Sequence, residues 1–216
     1  MSAIRVVLVD DQALFREGVG VIISAQSDME VVGTAGDGAQ ALTVIEATRP
    51  DVVLMDIRMP VMDGVEATRQ LFERNPDQAP RVIVLTTFNL DLAAATAMRF
   101  GASGFLLKDS TPDFLCAAVR AVHSGSSVIA PADLAELFAP RTAAPTPAPA
   151  TYETLSARER TVFQSAARGL SNSEIAEEFF LSLHTVKSHI STILGKLGLR
   201  DRVQLVIFAH DHALLE

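Results

Sequence analysis

Cysteine is almost missing from this chain of 216 residues, which holds one, Cys116. That rules out an intrachain disulfide framework and a cysteine-based metal centre. Phe114, Leu115, Ala118, Val119 and Val122 surround Cys116 in a helical apolar pattern, so it is expected to pack in a core. No run of about 18 or more uncharged apolar residues occurs. Met1 to Arg5 passes directly into a strand-like run rather than a leader, and the protein is expected to be cytoplasmic with no membrane partner. Internal repeats are missing, as is a Walker-type phosphate loop. Base is not in surplus either: the formal net charge is −8. Residues 1–125 carry 16 acids against 10 bases, residues 126–154 carry 3 against 1, and residues 155–216 carry 7 of each. The first stretch therefore cannot offer a nucleic-acid surface, and in the last such a surface must rest on where a few cations stand.

What is present is apolar residue, 49% of the chain, enough to bury a core in two small domains. Short apolar runs near 4–9, 30–35, 51–56, 81–86 and 104–107 alternate with helical patterns, and Gly36, Gly64 and Gly101 punctuate the connections. Such alternation predicts a doubly wound α/β domain, a five-stranded parallel sheet covered on both faces by right-handed crossovers. After it comes a possible short helix at Pro131 to Phe138. The stretch from Pro140 to Ala150 follows, with prolines at alternate positions near its end, and is expected to be a semi-rigid spacer. The expected division is a domain at 1–125, a linker at 126–152 and a second domain at 153–216.

The second domain is marked by helix punctuation. Ser156 with Glu159, Ser171 with Glu174, and Asp201 with Gln204 each fit a capping box, and Ser182 marks a fourth start. Gly169 and Gly198 stand where helices end. Four helices near 157–168, 172–180, 183–197 and 202–214 result, and the short gap between the second and third suggests a helix-turn-helix.

Four residues follow strand-like runs and should meet at one sheet edge: Asp10, Asp11, Asp56 and Lys108. Three carboxylates beside an ammonium suit Mg²⁺, which takes one or two carboxylates plus phosphate oxygens and water. A carboxylate such as Asp56 can form an acyl phosphate when a metal and a cation neutralise the incoming oxygens. Lys108 would be that cation and Thr86 a hydroxyl donor. Taken singly, Asp10 and Asp11 could merely cap the next helix, Asp56 could start a turn, and Lys108 could be solvated.

Taken together, Asp10-Asp11, Asp56 with Met59-Pro60 and Asp63-Gly64, Thr86-Thr87, and Phe105-Leu106-Leu107-Lys108-Asp109 resemble the motif set of response-regulator receiver domains, over about residues 4–124. That resemblance implies a flavodoxin-like fold and phosphorylation of Asp56 by a sensor histidine kinase. It also implies Mg²⁺ held by Asp10, Asp11, Asp56 and the Arg58 carbonyl, with phosphoryl oxygens held by Thr86 and Lys108. Thr86 and Phe105 would form the switch, in which Phe105, lacking a hydroxyl, signals by packing. Asn89 stands where relatives often carry an acid, and Ala93-Ala94-Ala95 smooths the fourth helix. Such a domain is not an enzyme in the usual sense, though it catalyses its own phosphorylation from small phosphodonors and its own dephosphorylation.

In the helix at 183–197, Val186, Ile190, Ile193, Leu194 and Leu197 form one apolar stripe. The opposite face holds His184, Ser188, Ser191, Thr192 and Gly195, flanked by Lys187 on one side and Thr185, His189 and Lys196 on the other. Hydroxyls and lysines of this kind suit a DNA groove, and equally a solvated surface. Leu155-Ser156-Ala157-Arg158-Glu159-Arg160, Gly169 to Ala176, Thr185-Val186-Lys187-Ser188-His189 and Lys196 to Arg202 resemble the LuxR-type helix-turn-helix over about 153–214. The whole chain is thus similar to NarL/FixJ-type response regulators. The resemblance implies promoter DNA as ligand and RNA polymerase as a further partner, with DNA contacts from Thr185, Lys187, Ser188, His189, Ser191 and Lys196. Apolar residues of the last helix, Val203, Leu205, Val206, Ile207, Phe208, Leu214 and Leu215, are expected to leave some surface for a homodimer on DNA. An alternative reading is a regulator that works without phosphorylation and uses its receiver only to dimerise.

Overall fold

The computed structural model describes residues 3–74, 78–87, 92–125 and 147–215. Asn89 and the candidate helix at 131–138 lie outside the described residues. The chain divides into two compact units, between residues 128 and 129.

In the first unit, five strands alternate with five helices: β1 (Ile4–Val9), α1 (Ala13–Ser24), β2 (Met29–Ala35), α2 (Gly38–Thr48), β3 (Val52–Asp56), α3 (Gly64–Arg74), β4 (Arg81–Thr86), α4 (Leu92–Phe100), β5 (Gly104–Leu107) and α5 (Pro112–His123). All pairings are parallel, in the order β2-β1-β3-β4-β5. A parallel sheet needs crossover helices on both faces, so its inner strands are buried on both sides and read as unbroken apolar runs. Val52, Val53, Leu54 and Met55 of β3 are accordingly fully buried. On one face Val6, Leu8, Leu54, Ile83 and Leu106 pack with Val19 and Ile23 of α1 and Leu115, Cys116 and Val119 of α5. Cys116 is a buried free thiol, as its pattern predicts.

Register brings the strand ends level. Val9 pairs with Met55, Asp56 with Leu85, and Thr86 with Leu107, so the residues that follow share one edge. Gly64 opens α3 hard against that edge. A Cβ there would lie 2.0 Å from the Asp56 carbonyl oxygen, which only glycine avoids.

The second unit holds a 3-10 helix (Ala150–Thr154) and helices α6 (Ala157–Ala167), α7 (Asn172–Glu178), α8 (Leu183–Leu197) and α9 (Arg202–Asp211). Ser156 and Ser171 close reciprocal capping boxes with Glu159 and Glu174. Ser182 accepts the Thr185 amide, and Asp201 accepts those of Val203 and Gln204. Gly198 ends α8 in the left-handed conformation at φ 67°.

Packing reaches somewhat further back than residue 153. Tyr152 is buried and meets Phe163 edge to face, 5.3 Å between ring centres, and Phe163 meets Phe208 in the same way. The last helix stops at Asp211 rather than 214, because the Leu214 amide turns back to the Ala209 carbonyl while Ala213 adopts φ 50°. Leu205 belongs to this core, with Phe208, Leu214 and Leu215 packed against it. Val203, Val206 and Ile207 are buried as well. The apolar residues expected to pair two chains are thus largely buried within one.

Candidate functional site: an acidic pocket and a helix-turn-helix

Asp10, Asp56, Thr86 and Lys108 meet at the carboxyl edge of the sheet. Backbone bonds bind the strand ends together there: the Ile57 amide donates to the Leu85 carbonyl, and the Lys108 amide to the Thr86 carbonyl at 2.8 Å. Asp10, Asp56 and Thr86 are buried, whereas Asp11 is exposed at the rim. One carboxylate oxygen from each of Asp10, Asp11 and Asp56 lies within 4.8 Å of the others.

Lys108 Nζ lies 2.7 Å from Asp10 Oδ2 and 3.0 Å from Asp56 Oδ2. Burial raises the Asp56 pKa above the ordinary carboxylate value; Lys108 and the Arg58 amide oppose the rise, while the charge of Asp10 adds to it. For Lys108, burial favours the neutral amine, yet the two carboxylates prevail and the net shift is upward. Three carboxylates against one ammonium leave the pocket negative.

The donor set fits a hard divalent cation. Asp10 Oδ2 is buried and, among the described residues, has no hydrogen-bond partner beyond the Lys108 ammonium 2.7 Å away. Its lone pairs, with those of Asp11 and Asp56, are the oxygens Mg²⁺ prefers. Capping does not account for the pair of acids, since Gln12 occupies the N-cap of α1. Asp10 does accept the Gln12 amide, through Oδ1 at 2.9 Å.

Arg58 opens the turn after β3 with its side chain exposed. Phe105 is buried beside Val84 in register. Sequence reasoning overlooked Phe15, whose ring centre lies 4.9 Å from Lys108 Nζ, and Arg16, which donates to the Asp10 carbonyl. Their place one turn beyond Asp10-Asp11 was the available signal, masked because Phe15 also fits the apolar face of α1.

In the second unit α8 turns Val186, Ile190 and Ile193 into the core and leaves His184, Lys187, Ser188, Ser191 and Thr192 exposed. Thr185 and His189 are half-buried, and the Thr185 hydroxyl lies 2.8 Å from that of Ser182. Lys196, expected among the DNA contacts, is exposed at the end of α8 and ion-paired with α6. Its ammonium lies 2.7 and 2.9 Å from the two oxygens of Glu159.

The two units match two family models. Residues 6–120 match the response regulator receiver domain, and residues 153–209 match the bacterial regulatory proteins of the luxR family. Two relatives from Bacillus subtilis are the uncharacterized transcriptional regulatory protein YxjL and the transcriptional regulatory protein LiaR. YxjL is 39% identical over 99% of this chain and 98% of its own. LiaR is 38% identical over 98% of this chain and 99% of its own. The crystal structure of ChrA, a response regulator in a heme-sensing two-component system, is 35% identical with a TM-score of 0.53, and covers 100% of both chains. With a receiver pocket at one sheet edge and a capped helix-turn-helix in the second unit, the chain belongs to the NarL/FixJ-type response regulators, transcription regulators that couple a receiver to a LuxR-type DNA-binding domain.

Proposed function

We propose that Asp56 is the phosphoacceptor and that its phosphorylation by a sensor histidine kinase controls homodimerisation and sequence-specific binding of promoter DNA. The observation that carries this reading is the pocket itself: a buried carboxylate at a strand end, 3.0 Å from an ammonium and grouped with two further acids. In the transfer, an Asp56 oxygen bonds to phosphorus as the bond from phosphorus to the donor imidazole nitrogen breaks, and the electron pair leaves with the imidazole. Lys108 neutralises the phosphoryl oxygens and Thr86 donates its hydroxyl to one of them. Asp10, Asp11, Asp56 and the Arg58 carbonyl would hold Mg²⁺, which supplies charge neutralisation at those same oxygens. The same pocket accepts phosphoryl groups from small donors and hydrolyses its own acyl phosphate, without turnover of an external substrate.

The acyl phosphate adds roughly −1.5 to −2 of charge and three acceptor oxygens. Thr86 and the buried Phe105 respond to it, Phe105 by repacking. A shift of population suffices, since the phosphoryl group need only favour the active state by a few kcal/mol. In the second unit α8 enters the major groove, with Lys187, Ser188 and Ser191 towards the bases and Thr185 and His189 on its flank. RNA polymerase is the further partner through which a bound dimer acts on transcription. The test is labelling by a radioactive small phosphodonor with Mg²⁺. Wild type takes up label and Asp56→Asn does not; label retained by the variant overturns the assignment.

A further inference from the structure

We propose that Lys196 is a positioning residue rather than a DNA contact: its ion pair with Glu159 clamps the last turn of α8 to the first turn of α6 and so sets the pose in which α8 meets DNA. This rests on the docking of α8 proposed above.

The pair is built into the fold from both sides. Glu159 is 7% exposed, and its Oε2 accepts the Ser156 amide at 2.7 Å as the N3 member of the capping box that starts α6. The same carboxylate receives Lys196 on both oxygens, while Lys196 also donates to the Thr154 carbonyl at 3.3 Å. One side chain thus satisfies a helix start and grips a helix end 37 residues away. Its carboxyl is held down to about 2, chiefly by the Lys196 hydrogen bond and then by the Ser156 amide, so Glu159 stays ionised at neutral pH.

Val186, Ile190 and Ile193 seat α8 on the core, with Leu194 and Leu197 packed beside them. These apolar contacts are non-directional. The Lys196–Glu159 pair adds a directional tie at the end of the helix. On the neighbouring side Arg202 plays a comparable part, its guanidinium donating to the Ala166 and Leu170 carbonyls and to Asn172 Oδ1, which fixes the start of α7. For Lys196 to reach a phosphate it would have to abandon Glu159 and leave a mostly buried carboxylate unpaired, which is costly.

Positioning and phosphate contact predict opposite signs for one substitution. Glu159→Gln keeps the capping box, because glutamine serves at N3, but it releases Lys196. With full-length protein and a duplex it has itself selected from a random pool, affinity is measured against salt concentration. Positioning requires that Glu159→Gln and Lys196→Gln each weaken binding by about tenfold. It further requires that the salt slope of Lys196→Gln match wild type, and that Lys196→Arg recover the affinity. A phosphate contact requires that Glu159→Gln tighten binding and that Lys196→Gln lower the slope by about 0.9, and either result overturns the proposal. Circular dichroism is recorded for each variant; should Glu159→Gln fail to fold, the slope of Lys196→Gln and the recovery by Lys196→Arg decide alone. Lys187→Ala separates the two readings, since unchanged affinity and slope in that variant would overturn the docking of α8 itself whatever Lys196 does.

Discussion

Lys108 Nζ stands 3.0 Å from Asp56 Oδ2 and shares its charge with Asp10, 2.7 Å away. Lys108 is the only lysine in residues 1–125, and its ammonium lies over the ring of Phe15, 4.9 Å from the ring centre. Removal of this cation leaves two buried carboxylates facing each other, which is the costly way to break a buried pair. Lys108→Met should destabilise the receiver by about 3 kcal/mol at pH 7. The loss should shrink towards pH 5 as one carboxyl takes a proton. Urea unfolding at the two pH values checks this, and an equal loss at both would contradict it.

Asp56 carries the opposite strain. Because burial raises its folded pKa, its favourable contribution is present below the unfolded value near 3.8 and is lost as pH rises through the folded value. Metal-free wild type should therefore be less stable at pH 7 than Asp56→Asn, by roughly 3 °C in Tm. Calorimetry in chelator buffer reads the difference. Mg²⁺ should abolish or reverse it, and its apparent affinity for wild type should fall as the pH drops towards that of the protonated carboxyl.

Gly64 meets the backbone of the phosphoacceptor rather than a movable side chain. Gly64→Ala would press a methyl group into the Asp56 carbonyl, so the loop or β3 must shift. A loss of about 3 kcal/mol is expected, with phosphodonor labelling reduced in the molecules that remain folded. Full stability in urea would show that the loop has room the structure does not give it.

Glu159 sets the acid limit of the second unit. Its folded pKa of about 2 lies below the ordinary glutamate value of 4.5, so its stabilising contribution is complete above 4.5 and lost as pH falls towards 2. Unfolding of the full chain followed by signals from the second unit should show an acid decline across that window, flattened in Glu159→Gln. A decline of equal steepness in the variant would assign it to other carboxyls.

Much of this was legible because the evidence was local. Strands β4 and β5 begin and end where the apolar runs do, and Ser156, Ser171 and Ser182 cap the helices their spacing marks. The acidic pocket was legible because parallel strands bring their carboxyl ends to one edge whatever the helices do between them. The ion pair of Lys196 was not legible, because its partner Glu159 stands 37 residues earlier in the chain. The fate of α9 was hidden for a like reason, since the depth of the core around Phe163 and Tyr152 depends on ring packing across three segments. Val61 is a further case: φ 66° is unusual for a β-branched residue, and it follows from the bond of the Met62 amide to the Pro60 carbonyl at 2.7 Å.

The most direct measurement takes purified protein with Mg²⁺ before and after beryllofluoride, a phosphoryl mimic, and records mass by light scattering together with affinity for DNA. Asp56→Asn serves as the control. The expected result is a shift from monomer towards dimer with tighter DNA binding, absent in the variant. No change in mass or affinity, with the mimic shown to be bound, would contradict phosphorylation control and leave a regulator that acts without it.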